Sequence, residues 1–156
     1  MTDPLNLNIH DAEDLSVLSA AMQDFILRVA DMIFLPKRRR FALVGNRFKW
    51  EEVSKVGAQA EEGQQLYHRV RTGIHFDGVM AVKTSNIQLG RSEAILDLLA
   101  LTYDSKEDGM GEITLVFAGG GAILLGVECI DASLSDMGQP WVTPRKPEHG
   151  ITDDLT

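Results

Sequence analysis

Tyr67-His68-Arg69-Val70-Arg71-Thr72-Gly73-Ile74-His75-Phe76 alternates with a period of two. Val70, Thr72, Ile74 and Phe76 fall on one face, and Tyr67, Arg69, Arg71 and His75 on the other. A strand with one buried and one solvated side reads this way. Asp77-Gly78 follows, a dipeptide suited to a tight hairpin, and makes Val79 to Thr84 the expected partner strand. Upstream, Phe25 to Val29 and Met32 to Leu35 are short apolar runs. Pro36-Lys37-Arg38-Arg39 is a turn, because proline fixes φ and cannot donate to a ladder. Arg40 to Phe48 is then the return strand of a hairpin. It packs either Ala42, Val44 and Phe48 or Phe41 and Leu43, since both faces carry apolar residues.

The same reading extends to both ends. Leu5, Leu7 and Ile9 alternate with Asn6, Asn8 and His10 as a short strand. Asp11 suits a helix N-cap, with Glu13 and Asp14 in the first turn and Leu15, Leu18 and Met22 at helical spacing, so a helix is expected from about 12 to 22. Glu51 to Gln65 is a long polar loop. Ala94 to Tyr103 is read as a strand, although Ser92-Glu93 could also open a helix. Asp104 to Gly111 is a loop. Ile113 to Phe117 and Ile123 to Val127 form a hairpin across Gly119-Gly120-Gly121. Ile130 to Met137 reads as a closing helix, with Ile130 and Leu134 on one side and Gly138 as its stop. The expected fold is α+β and mainly β: an antiparallel sheet closed as a small barrel or sandwich, with a helix near each end. The order of elements fits pleckstrin-homology-like domains. One domain covers 1–138, and 139–156 is a flexible, proline-rich acidic tail.

The chain has 156 residues, 44% hydrophobic and 24% charged, with a net charge of −8. These values suit one folded soluble domain and argue against general affinity for nucleic acid. No apolar run is long enough to span a membrane, and Met1 to His10 does not resemble a secretory signal. The single cysteine, Cys129, excludes a disulfide framework and makes a reducing cytoplasm the default; at the junction of an apolar strand and a helix it is expected to be a buried structural thiol. The charge is uneven. Residues 36 to 91 hold eleven Lys or Arg against five acids, a local +6 that leaves −14 for the flanks. That imbalance implies either acidic ends lying over a basic middle or a basic face for an anionic partner.

Phe34 to Phe48, read as Phe-Leu-Pro-Lys-Arg-Arg-Arg-Phe-Ala-Leu-Val-Gly-Asn-Arg-Phe, resembles a signature of the bacterial domain-of-unknown-function family 2948. Arg71-Thr72-Gly73-Ile74-His75-Phe76, the run Leu115 to Ile123 and the continuation Val127-Glu128-Cys129-Ile130 fit it as well. The resemblance implies a bacterial cytoplasmic protein of about this length. It implies no activity, cofactor or catalytic residue.

The triple glycine lacks the Gly-Lys-Ser/Thr end of a phosphate loop, and Leu124 stands where a dinucleotide fingerprint needs glycine, so it reads as a hairpin tip. None of the four histidines forms a short-range metal pair, and His68 and His75 face opposite sides of their strand; no metal or other cofactor is expected. The candidate ligand-binding residues are Arg47, Tyr67, Arg69, Arg71 and His75. Arg69 and Arg71 stand two apart, His75 extends the row, Tyr67 offers a stacking surface, and Arg47 joins if its hairpin lies alongside. Arginine forks grip carboxylate or phosphate through paired hydrogen bonds. The chain is therefore expected to be a non-catalytic binding or interaction module whose basic sheet face takes an anionic small molecule or an acidic protein segment. The competing expectation is a small hydrolase or transferase acting on an anionic metabolite, with His75 as acid–base. Homo-oligomerisation through an apolar strand edge is a third.

Overall fold

The computed structural model describes residues 4–52 and 67–143. Asn6–Ile9 forms β1 and Ala12–Ala21 forms α1. Asp11 caps α1 as expected, accepting from the Asp14 N–H at 2.7 Å, while the Asp14 carboxylate accepts from the His10 N–H at 3.0 Å. This reciprocal pair satisfies two donors at the helix start. Phe25–Arg28 is β2, Met32–Leu35 is β3 and Arg40–Phe48 is β4, with Pro36–Arg38 turning one residue before Arg39, which lies at φ 52°. Tyr67–Asp77 is β5, Val79–Ser85 is β6, Ile95–Ser105 is β7, Gly111–Phe117 is β8, Ala122–Val127 is β9 and Ala132–Thr143 is β10. The strands at 67–76 and 94–103 and the glycine-tipped hairpin of β8 and β9 all stand where the sequence places them.

The strands form an antiparallel sheet in the order β1-β10-β5-β4-β2-β7-β8-β9-β6, with β3 on the same edge of β4 as β2. The sheet curls, so that Phe41, Leu43, Ile74, Phe76 and Leu134 from one end share a core with Leu98, Leu115, Phe117 and Leu125 from the other. The helix α1 packs against β7 and β1, burying Leu15 and Leu18, and its Ser19 hydroxyl accepts from the Leu101 N–H of β7 at 2.9 Å.

Three expectations are corrected here. First, the segment 130–137 is not a helix: it is extended, and strand from Ala132 onward. Ile130, Ala132 and Leu134 are buried at every second position between Asp131, Ser133 and Ser135. Spacings of two and four fit a strand as well as a helix, and β10 fills the gap between β1 and β5 with register pairs on both sides. The strand continues past Gly138 to Thr143. Second, the sheet stays open, and with β10 rather than a helix as the last described element the pleckstrin-homology-like arrangement is not formed among the described residues. Third, β5 and β6 do not pair with each other. Both edges of β5 are taken, by β4 and β10, and β6 pairs with β9. Asp77-Gly78 still turns, at φ +70° for Gly78, but its backbone bonds elsewhere: Asp77 N–H to Asp131, Val79 N–H to Arg39, and Glu128 N–H to the Gly78 carbonyl. The chain turns a corner there and crosses from one end of the sheet to the other.

Gly45 marks the crowded centre of this arrangement. A Cβ at that position would collide with the Ile26 carbonyl oxygen and lie 2.8 Å from the Phe25 ring. Neither can withdraw easily, one being backbone and the other a fully buried ring. We expect Gly45→Ala to cost about 2 kcal/mol or more, as overpacking does. Urea unfolding of the two proteins checks this; an unchanged midpoint contradicts the packing described.

Candidate functional site

The pairing of β4 with β5 decides which candidate residues share a face. Phe41 lies opposite Phe76, Leu43 opposite Ile74 and Arg47 opposite Val70. Of the two faces open to β4, Phe41 and Leu43 are therefore the buried one, and Arg47 has their parity. It is 0% exposed and does not join the outer face where the sequence reading placed it. Instead its guanidinium reaches beneath β5 to β10. Nε and Nη2 donate to the two carboxylate oxygens of Asp136 at 3.0 and 2.8 Å, Nη1 and Nη2 donate to Glu51 at 2.8 Å each, and Nη1 also reaches the Phe48 carbonyl at 3.4 Å. All five N–H donors are used. Asp136 accepts in addition from the Thr72 hydroxyl and the Leu5 N–H, both at 2.8 Å.

Burial alone would raise the Asp136 carboxyl. The Arg47 hydrogen bonds, with those from Leu5 and Thr72, outweigh it and hold the carboxyl below the usual carboxylate range. Glu51 follows the same pattern, its burial offset by Arg47. For Arg47, burial opposes the charge, but the two carboxylates raise the guanidinium above its ordinary value.

The outer face of β5 carries Arg69, Arg71, Gly73 and His75. Arg69 lies opposite Phe48 and Trp141, with its guanidinium carbon 5.5 Å from the Phe48 ring centre and Nη1 donating to the Asp24 carbonyl at 3.2 Å. Burial lowers its pKa, partly offset by Asp24 and Asp97. His75 Nδ1 stands 3.1 Å from an Asp77 carboxylate oxygen, and Arg40 grips that carboxylate at 2.7 Å. Arg71 is exposed, flanked by Asn46 and Met137 in the neighbouring strands. It makes no hydrogen bond or ion pair among the described residues. Around it the floor is low: Gly73, Val44, Ala42 and Ser135. A Cβ on Gly73 would meet the Met137 methyl at 3.5 Å, so Met137 lies over the glycine. Met137 and Trp141 are 39% and 41% exposed, making an apolar border on one side. The backbone of Tyr67 continues the row opposite Thr143; its side chain lies outside the described part of the structure, as do residues 53–66 and with them most of the 51–65 loop.

The structure thus brings Arg69, Arg71 and His75 onto one face and turns Arg47 under it. Met137 and Trp141 were missed by sequence reasoning because β10 was read as helix and tail, and Asn46 because the sequence left open which face of β4 is buried. Cys129 is exposed in the turn between β9 and β10, not buried, because the element that follows it is a strand and not the expected helix. Among the described residues no group of three or more His, Cys, Asp or Glu is placed to hold a metal, and no helix is long and apolar enough to cross a membrane.

The Arg47–Asp136 pair makes a pH-dependent contribution of known sign. Carboxyls held low in the folded state stabilise it fully above their unfolded pKa, about 4, and lose that effect as pH falls through the lower folded value. Asp136→Asn should cost about 3 kcal/mol at pH 7, because it leaves a buried guanidinium short of a partner. It should also flatten the loss of stability between pH 5 and pH 2. Urea melts across that range measure both, and parallel pH curves for the two proteins would remove Asp136 from the ionic account.

A family model described as protein of unknown function (DUF2948) matches residues 5–149. No curated protein and no solved structure matches the chain. The match covers β1 to β10, both the buried Arg47–Asp136 pair and the outer face around Arg71, and the chain belongs to that family.

Proposed function

We propose that the chain is a non-catalytic binding module of the bacterial cytoplasm, whose outer β5 face takes an acidic protein segment through Arg71. One observation carries this reading. Arg28, Arg39, Arg40 and Arg47 each hold a carboxylate of the chain itself, whereas Arg71 holds none among the described residues. A guanidinium fork with unused N–H groups donates two parallel hydrogen bonds to a carboxylate, and Asp31 meets Arg71 only through its charge. The low floor of Gly73, Val44 and Ala42 lets another backbone come close, and Met137 and Trp141 add apolar contact. A flat, shallow face of this kind suits a polypeptide better than an enclosed small molecule. The exposed, unpaired Cys129 suits a reducing compartment.

The test uses a fluorescein-labelled decapeptide of alternating Glu and Leu. Binding should weaken at least about tenfold in Arg71→Ala, the scale of one lost charge-assisted pair. It should weaken further as salt rises, and Trp141→Phe should remove part of the accompanying tryptophan fluorescence change. Equal binding by wild type and Arg71→Ala at low and high salt would end this reading.

The second reading, a small hydrolase or transferase for an anionic metabolite, draws on His75. Its Nδ1 lies 3.1 Å from the Arg40-held Asp77 carboxylate without hydrogen-bond geometry, and Ser133 is its cross-strand neighbour, so a modest turn of the ring would give Asp77 the orienting role a catalytic imidazole needs. A metabolite panel run on wild type and His75→Ala separates the two: turnover should vanish with the imidazole, and equal turnover would take His75 out of any mechanism.

A further inference from the structure

The sheet fails to close at one seam. Among the described residues β6 ends the strand order, paired with β9 alone, and β3 pairs with β4 alone. The two lie together where β6 begins, since the Val79 N–H donates to the Arg39 carbonyl at 2.8 Å just after the turn that follows β3. Away from that point they part around an apolar cavity of about 180 Å³. Its walls are Ile33 and Phe34 of β3, Val82 of β6 and Leu89 beyond it; its floor is Phe41 and Ile123 of the core. Leu89 is 57% exposed at the rim.

The outward edge of β6 has backbone groups after Val79 with no ladder partner among the described residues. Val82 lies opposite Leu125 and Thr84 opposite Ile123, both buried, so Val82 and Thr84 point to the core side while Lys83 points out. A strand added to this edge inherits the same alternation, and every second side chain faces the cavity. The volume is close to that of an apolar void that takes one benzene-sized group, about 150 Å³. It admits one large side chain.

Charge adds a second constraint. Residues 78–90 contain one charged residue, Lys83, where an exposed edge is ordinarily guarded by several. At the β3 end Lys37 and Arg38 are exposed and make no hydrogen bond or ion pair among the described residues. The seam is thus an apolar slot edged by three uncompensated cations.

We propose that the seam between β3 and β6 binds an extended segment of another protein as an added strand on β6, with one phenylalanine-sized side chain in the cavity and acidic side chains toward Lys83, Lys37 and Arg38. This surface does not involve Arg71.

The probe is a fluorescein-labelled nonapeptide, Ser-Asp-Thr-Asp-Phe-Asp-Thr-Asp-Ser, whose alternation puts Phe inward and Asp outward. Anisotropy should show saturable binding. Replacing its Phe by Ser, or Leu89→Asp in the protein, should weaken binding at least about tenfold, the effect of losing one buried aromatic group. Lys83→Glu should weaken it in low salt, and Arg71→Ala should leave it unchanged. Equal affinity for the Phe-free peptide overturns the proposal, as does no saturation up to about 1 mM, beyond which specific recognition has little meaning. Loss of binding in Arg71→Ala overturns it in favour of the outer face. Dimerisation of the protein alone, abolished by Leu89→Asp in sedimentation, overturns it in favour of a second copy.

Discussion

The buried contact between Arg47 and Asp136 is what the rest of the structure is built around. It joins β4 to β10 beneath the intervening β5, and it draws in Thr72 of β5 and the Leu5 N–H beside β1. A pair of ions taken out of water is weak evidence for stability, because desolvation offsets the attraction. Its consequence is register. Shifting β10 by one residue along β5 would turn Asp136 outward and leave the buried Arg47 with Glu51 but without its partner on β10, a loss of several kcal/mol. The same parity sets what faces out. With Asp136 inward, Met137 is outward beside Arg71, and the resumed register after the irregularity at Gly138–Pro140 sets Trp141 beside Arg69. The interior pair and the outer face are two sides of one registration.

Gly45 shows how that reach is possible. It lies opposite Thr72, which lies opposite Asp136, and has no side chain to stand between the Phe25 ring and the sheet. Two residues further on, Arg47 has left the crowded part of the core and can bend toward β10. The long side chain, the missing side chain and the short acid are one steric solution spread over three strands.

Where alternation had a single explanation, the sequence was legible. Val70, Thr72, Ile74 and Phe76 could only be the inner face of a strand, and Asp11 before Leu15 and Leu18 could only be a helix start. At Ile130 to Met137 a spacing of four fits both periods; the serines at 133 and 135, poor helix formers, were the available hint, and Asp136 in the same parity as Leu134 was the sign of an acid needing a buried cation. Asp77-Gly78 was legible as a turn but not as a corner, because pairing is decided by which edges of β5 are already occupied, a fact of residues far away in sequence. Arg47 looked exposed for its chemistry. Its parity with Phe41 and Leu43 said otherwise, but that parity was usable only once the buried face of β4 was known.

The local +6 between residues 36 and 91 can now be divided. Arg39 meets Glu128, Arg40 meets Asp77, and Arg47 meets Glu51 and Asp136. The charge-balance account of the basic middle therefore holds for these three, two of whose partners lie beyond residue 91. Exposed pairs such as Arg39–Glu128 add little stability, since solvent screens them and the side chains lose freedom in making them. Their effect lies in what they remove. In a chain of net −8 a positive potential is best kept where a cation is not gripped by an acid of the chain itself. Arg71 on the outer face and Lys37, Arg38 and Lys83 along the seam make no ion pair among the described residues, although the charge of Arg71 also acts on Asp31. An acidic segment of the kind proposed would be drawn to those two places more than to the paired cations, a contrast that bears on where a partner first lands more than on how tightly it holds.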